Sequence, residues 1–270
     1  MDKATTEFEI KVSSGRITNV NDVLENGICK LTIETAAQDE PTEATVAQEK
    51  TANTDLTDAF VFVGASELSL DDEFMKYKPK TERGKNFKKQ LTEAIKKGVK
   101  DFWAPKYDPS FNEEGTGICY VPGKKPAVGK SYNWWEKTAK KFCPERQSHL
   151  GLKSERVAFL GVLIKKLVES GWKVKEAWSA VCNDSRELGH YWNSENAKHA
   201  FENTGSREVC GFFDLANTYK ILAYDEEACG FWLAGGLCNI SSDYYPLADL
   251  GHGNYQDDNR CDSVGWLVLY

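Results

Sequence analysis

The segments GFFDLANTYKILAYD (211–225), CGFWLAGG (229–236) and VGWLVLY (264–270) decide how the chain is read. Each is short, aromatic and bounded by Gly, Asp or Cys rather than by helix-forming residues. The last two read as strands. The final one is almost wholly apolar, which predicts a central strand covered on both faces. Between the second and third lies Leu237–Ser263, whose 27 residues include no Lys, Glu, Met or Trp. Seventeen of the 27 are Asn, Asp, Tyr, Ser, His or Gly, although the rest of the chain uses Lys and Glu freely. Such a narrow alphabet between two strands raises the question of what the stretch is for.

Upstream, the period changes to that of helices. Ser154 reads as the N-cap of a helix through about Ser170, with Val157, Leu160, Ile164 and Leu167 inward and Gly171 ending it. A second helix follows, with Val174, Ala177, Trp178 and Val181 on one face. KNFKKQLTEAIKKGVKDFW places Phe87, Leu91, Ile95 and Phe102 near one helical face and Lys on the other. Residues 103–150, rich in Gly, Pro and aromatics, read as irregular. Helices followed by short strands and long loops predict an α+β domain over residues 81–270.

Residues 1–80 predict a small β-rich module or arm. EFEIKV (7–12) and CKLTIE (29–34) alternate apolar and polar side chains, Asn26-Gly27 suits a turn, and AFVFVG (59–64) supplies a third strand. The intervening TAAQDEPTEATVAQEKTANTDLTD (35–58) reads as an exposed loop. Attachment, oligomerisation and passive packing on the larger domain all suit such a module, and the oligomeric state stays open.

Composition narrows the class. With 41% hydrophobic residues and eight Trp, the chain can fill a core, which excludes wholesale disorder. No apolar run is long enough to span a bilayer, and MDKATTEFEIKV carries no signal-peptide pattern. The eight Cys include no C-x-x-C pair, so they read as free thiols rather than a zinc site. The net charge of −7 is unevenly spread: residues 1–80, 81–180 and 181–270 carry about −8, +10 and −9. The basic middle lacks interleaved aromatics and reads as solvated helix surface, while the acidic final third argues against nucleic acid as a partner there. The four His show no metal-ligand spacing. No Ser-His-Asp order, phosphate loop or dinucleotide fingerprint is present, so the chain does not read as an enzyme.

The order of parts near the C-terminus resembles the formylglycine-generating-enzyme-like branch of the C-type lectin fold. In that branch a G-(L/F)-x-D-x-x-(G)-N segment precedes a strand ending in Gly-Gly, then a long loop region, then a closing strand beginning (I/V)-G-(F/W). Here these are Gly211, Asp214 and Asn217, then Gly235 and Gly236, then Val264, Gly265 and Trp266. Trp178 and Cys182 suit that branch's second helix. The likeness covers residues 150–270 well and 85–150 in outline, and does not reach 1–80. Within the branch, Leu237–Ser263 looks like the variable region of a diversity-generating retroelement target protein, of viral or prokaryotic source. Such regions are rewritten at adenines, often in AAY codons, which never yields Lys, Glu, Met, Trp or a stop. Of the 27 residues, only Gln256 lies outside the permitted set.

That resemblance implies a receptor- or adhesin-type protein whose loops recognise a variable macromolecular partner, with no cofactor and no membrane insertion. Tyr, Asn, Ser, Asp and Gly are also the residues of paratopes, where Tyr gives contact area and the others adaptable hydrogen bonds. Tyr244, Tyr245, His252 and Tyr255 are the expected anchors. Asn239, Ile240, Asp243, Asp249, Asn254, Asp257, Asp258, Asn259, Asp262 and Ser263 are the expected surround, with Cys238, Ser242, Gly251, Gly253 and Cys261 in the same window. Pro246, Leu247, Ala248 and Leu250 read as buried framework. Carbohydrate binding is the alternative by fold analogy. Asp257-Asp258-Asn259 offers oxygen ligands for calcium, but no Glu joins them and the spacing matches no standard calcium loop. A copper-dependent oxidase would need a Cys pair; Cys238 and Cys261 lie 23 positions apart, unlike the close catalytic pair of those enzymes.

Overall fold

A computed structural model of the chain describes residues 16–25, 28–36, 56–189, 203–205, 207–223, 231–236, 242–244, 246–250 and 263–270. Contacts divide the chain into two units, Met1–Ala52 and Asn53–Tyr270. In the first, β1 (Arg16–Glu25) and β2 (Ile28–Ala36) pair antiparallel with Glu25 opposite Ile28. The CKLTIE alternation thus lies in a strand. Its partner was not legible, because a register shift between Ile17 and Asn19 interrupts the period. Asn26-Gly27 and the EFEIKV run lie outside the described residues.

The second unit begins earlier than the sequence implies. α1 (Leu56–Ala59) leads into β3 (Phe60–Val63), which pairs antiparallel with β4 (Phe102–Pro105). The expected third strand of the N-terminal module is therefore part of the larger unit. The reason is burial: Phe60 and Val63 enter the two hydrophobic clusters of this unit.

The order continues with α2 (Glu73–Lys76), α3 (Glu82–Lys97), β4, β5 (Ser110–Phe111), β6 (Ile118–Cys119), α4 (Tyr132–Phe142), β7 (His149–Leu150), α5 (Lys153–Glu169) and α6 (Val174–Cys182). It ends with β8 (Glu208–Val209), β9 (Phe212–Phe213), β10 (Tyr219–Ala223), β11 (Phe231–Ala234), β12 (Ser263–Gly265) and β13 (Leu267–Val268). This is an α+β architecture. β10 lies between antiparallel β11 and parallel β12. The chain then turns at Trp266, β13 pairs with β7, and Leu269 bridges to Trp103 of β4.

Strand side chains alternate between two cores. Leu222, Ala234, Trp266 and Val268 face a cluster containing residues of α3, α5 and α6, among them Phe87, Leu91, Leu163 and Trp178. Ile221, Leu233, Val264, Leu267 and Leu269 face a second cluster with Trp135 and Ala139 of α4. Trp178 satisfies its indole N–H on the Phe74 carbonyl at 2.8 Å and meets Phe87 edge-on. Burying each such ring removes enough apolar surface to contribute about 1.5–3 kcal/mol.

Three local expectations change. Gly98 takes a left-handed conformation (φ 70°) and ends α3, so Phe102 belongs to β4 and not to the helix face. α5 starts two residues earlier than Ser154 suggests: Leu152 is the N-cap, and Glu155 accepts its N–H at 2.6 Å. The stretch read as irregular contains α4, capped by Ser131, whose hydroxyl accepts from the Trp134 N–H. Among the described residues no helix is long and apolar enough to cross a membrane.

Beside the start of β10 lies a buried ionic node. The Lys220 ammonium donates to the Asp108 carboxylate and, at 3.0 Å, to the Asp214 carbonyl. Thr218 donates to Asp108 at 2.7 Å, and Asp214 accepts from the backbone N–H of Asp108 and of Gly205. Burial first, and the Asp108 charge second, push the Asp214 carboxyl up to about 7. The folded chain thus holds a proton that the unfolded chain, with an ordinary value near ~4, has released. The stability from this group is complete below about pH 4 and is lost as pH rises to about 7. Urea midpoints of Asp214→Asn should therefore fall less between about pH 5 and about pH 7.5 than those of the parent; parallel profiles would overturn this. Lys220→Met leaves Asp108 buried and unpaired, and should cost about 3–5 kcal/mol by the same measurement.

Candidate functional site

The pairing of three strands fixes where the narrow-alphabet window is held. Ala234, the last residue of β11, lies opposite Lys220, and Ser263, the first of β12, lies opposite Tyr219. Both ends of residues 235–262 therefore meet the same end of β10, on its two flanks. Two strand spacings, about 10 Å, separate them.

The exit from β11 requires glycine. A Cβ on Gly235 would lie 2.1 Å from the Pro246 carbonyl oxygen. Gly236 has φ 108°, and its Cβ would press on the Leu215 carbonyl and Ala216 at 3.0 Å. The Gly-Gly pair thus lets residues 215–216 and Pro246 approach the backbone directly. Asp214 and Asn217, from the same resemblance, are buried beneath this end. They are not on its surface.

The middle of the window is fastened to the helices. Ala248 N–H donates to the Val181 carbonyl of α6 at 3.0 Å, Leu247 N–H to the Ser185 hydroxyl at 2.9 Å, and Gly235 N–H to the Asp249 carbonyl at 2.8 Å. Pro246, Leu247, Ala248 and Leu250 are buried, in keeping with their reading as framework. One turn earlier in the chain, Arg83 of α3 donates to the carbonyls of Asp243 and Tyr244 at 3.3 and 3.2 Å. The Ser242 hydroxyl donates to Asp184. Burial of Asp184 favours its neutral form, but hydrogen bonds from Arg186 and Ser242 outweigh it and hold the carboxyl below its ordinary value. The N-cap of α3 is tied to the same place, since Thr81 donates to the Asn183 side chain at 2.7 Å.

The expected contact residues separate into three groups. Tyr244 is 64% exposed, the most exposed large apolar side chain among the described residues, and Asp243 is exposed beside it. Asp249 is half-buried. Ser242 and Ser263 do not belong to a surface: both are fully buried, Ser242 because it anchors to Asp184 and Ser263 because it opens β12. Cys238, Asn239, Ile240, Tyr245 and the residues from Gly251 to Asp262 lie outside the described residues. These include the remaining anchors, the Asp257-Asp258-Asn259 run and Cys261.

Arg83, Asp184 and Ser185 were not legible as parts of this site. Asp184 and Ser185 lie about sixty positions from the window residues they hold and Arg83 about 160, with no motif linking them. Among the described residues, no group of three or more His, Cys, Asp or Glu could hold a metal ion. Cys119, Cys143, Cys182 and Cys210 are free thiols, and burial pushes Cys182 up to about 12. No family model matches the chain, and no curated protein is detectably similar to it.

Gly235→Ala should destabilise the chain by about 3 kcal/mol, the upper end for forcing a methyl into closed packing. Urea unfolding measures it, and a loss below about 1 kcal/mol would show that the Pro246 contact relaxes freely. Arg83→Ala should leave global stability within about 1 kcal/mol while raising amide hydrogen exchange at residues 242–248.

Proposed function

We propose that this chain is a ligand-binding protein that recognises a macromolecular partner through a diversified loop region at 237–263, carried on a C-type lectin-like domain. The observation that carries the reading is Tyr244: a largely exposed tyrosine whose own carbonyl, and that of Asp243, are gripped by Arg83. An aromatic held on a fixed backbone and offered to solvent loses little freedom when it is covered, which is how tyrosine serves paratopes. The restricted alphabet of the window and the buried framework at 246–250 support the same reading. Substitutions at exposed positions usually change stability little, whereas those at the framework do not share that tolerance.

The partner class follows from the chemistry offered. Exposed Tyr and Asp on a polar stretch suit a protein or other surface macromolecule better than a small metabolite, which needs a mostly apolar concavity. The chain's role is recognition, not catalysis.

Three measurements test this. In a displayed library with the 15 residue types encoded by NNY codons, chains randomised at 243–244 and 251–262 should stay protease-resistant far more often than chains randomised at 246–250. Equal losses would remove the distinction between surface and framework. A binder selected from the first library against a soluble probe such as lysozyme should lose about tenfold in affinity, about 1.4 kcal/mol, on Tyr244→Ala whenever Tyr244 is retained. In sibling genomes, substitutions should be confined to adenine-bearing codons of 237–263, beside a near-identical template repeat. Changes spread evenly over the gene would exclude the retroelement.

A further inference from the structure

The sequence places lysines along one face of α3, and the fold adds a second wall to them. The segment between α2 and α3 runs extended from Tyr77, and Pro79 lies so close to Gly84 that a Cβ there would be 2.7 Å away. Lys88 ties the segment down by donating to the Tyr77 carbonyl at 2.6 Å. Between this wall and the helix runs an open groove of about 470 Å³, lined by Lys78, Lys85, Lys88, Lys89 and Lys96 against a single carboxylate, Glu93. Lys85 is paired with Glu82 at 2.6 Å. No carboxylate among the described residues pairs with Lys78, Lys89 or Lys96. Five lysines gathered in one groove stand out in a chain whose net charge is −7.

We propose that this groove binds a compact polyphosphate anion, three or more linked phosphate groups, by direct contact with its lysines. The charge supplied matches a multiply charged anion and not a single carboxylate. Lysine binds phosphate as a point charge on a flexible stem, so several lysines can each follow a different phosphate of one chain. Lys85, Lys89 and Lys96 lie along one side of α3 over eleven positions, about 16 Å of helix axis. A lone orthophosphate reaches one or two of these ammonium groups, whereas a polyphosphate chain reaches several. No aromatic side chain lines the groove, so a base has nothing to stack on. The ligand is therefore read by its phosphate chain, whether that chain is free or carried on a nucleoside. Lys88 agrees with this: burial, then the charge of Lys78, lower its proton affinity, and a bound anion reverses the second effect.

Calorimetric titration of the full chain at low salt tests the site with sodium tripolyphosphate, ATP, orthophosphate and a single-stranded oligonucleotide. Tripolyphosphate and ATP should bind within about threefold of each other, and orthophosphate at least about tenfold more weakly. All affinities should fall as salt rises. The exposed triple variant Lys78→Ala/Lys89→Ala/Lys96→Ala should lose at least about tenfold for tripolyphosphate with an unchanged melting temperature, and replacing the same three by Arg should restore binding. Tyr244→Ala should bind as the parent does, because this groove is independent of the recognition loop. No heat with millimolar tripolyphosphate, or full binding by the alanine variant, overturns the proposal. An oligonucleotide binding more than about tenfold tighter than tripolyphosphate overturns it too, by making the groove part of a longer nucleic-acid track.

Discussion

Residues 263–270 tie the second unit together. They pair first with β10, then the Gly151 N–H donates to the Trp266 carbonyl at 2.8 Å, then Trp103 and Leu269 exchange backbone hydrogen bonds at 2.8 and 3.1 Å. Over 266–269 the side chains enter the two cores in turn: Trp266 and Val268 one, Leu267 and Leu269 the other. Gly265 makes the thread possible, since a Cβ there would lie 2.4 Å from the Trp135 ring. Buried Arg156 stacks its guanidinium over Trp266 from α5. A strand covered on both faces has no solvated side to relax toward, so its position sets that of everything packed against it.

VGWLVLY was accordingly legible as buried between two cores but not as one central strand: it breaks at Trp266 into β12, an edge strand of the three-stranded sheet, and β13, which pairs with β7. An unbroken apolar run ending a long polar stretch has few other places to go, and the structure puts it between two cores. The helices 153–169 and 174–182 were legible from their apolar content and from Gly171 between them, although residues 155–164 of the first are buried on every side and not along one stripe. α4 was missed although Tyr132, Trp135, Ala139 and Phe142 recur at helical spacing against the second core, because the Gly, Pro and aromatic residues around it made the whole of 103–150 read as irregular. Phe102 was misplaced because it continues the period of α3 by coincidence, past a glycine that had already ended the helix. The division near residue 52 was misjudged because β3 pairs across about forty positions, and nothing local marks its partner.

The window at 237–263 was legible as a composition and only partly as a structure. Its alphabet singled out the stretch, and its apolar residues 246–250 are where the chain is pinned. What composition could not reveal was which polar residues face inward. Ser242 and Ser263 belong to the same alphabet as Asp243 and Tyr244, yet they are buried by partners far away in sequence. The lysines of α3 make a similar point in reverse. A helical wheel gives them to solvent, and only the fold of residues 77–80 over Gly84 turns that face into a groove.

The two ends of the window emerge beside one another at one end of β10. Bringing those ends together is already accomplished by the sheet, whatever lies between them. The entropic cost of closing a flexible loop grows only logarithmically with its length, about 0.6 kcal/mol for each doubling. Beyond the pinned turn at 246–250, then, this scaffold can accept insertions and deletions nearly as readily as exchanges of side chain. Length becomes a second dimension along which related chains can differ without disturbing their cores.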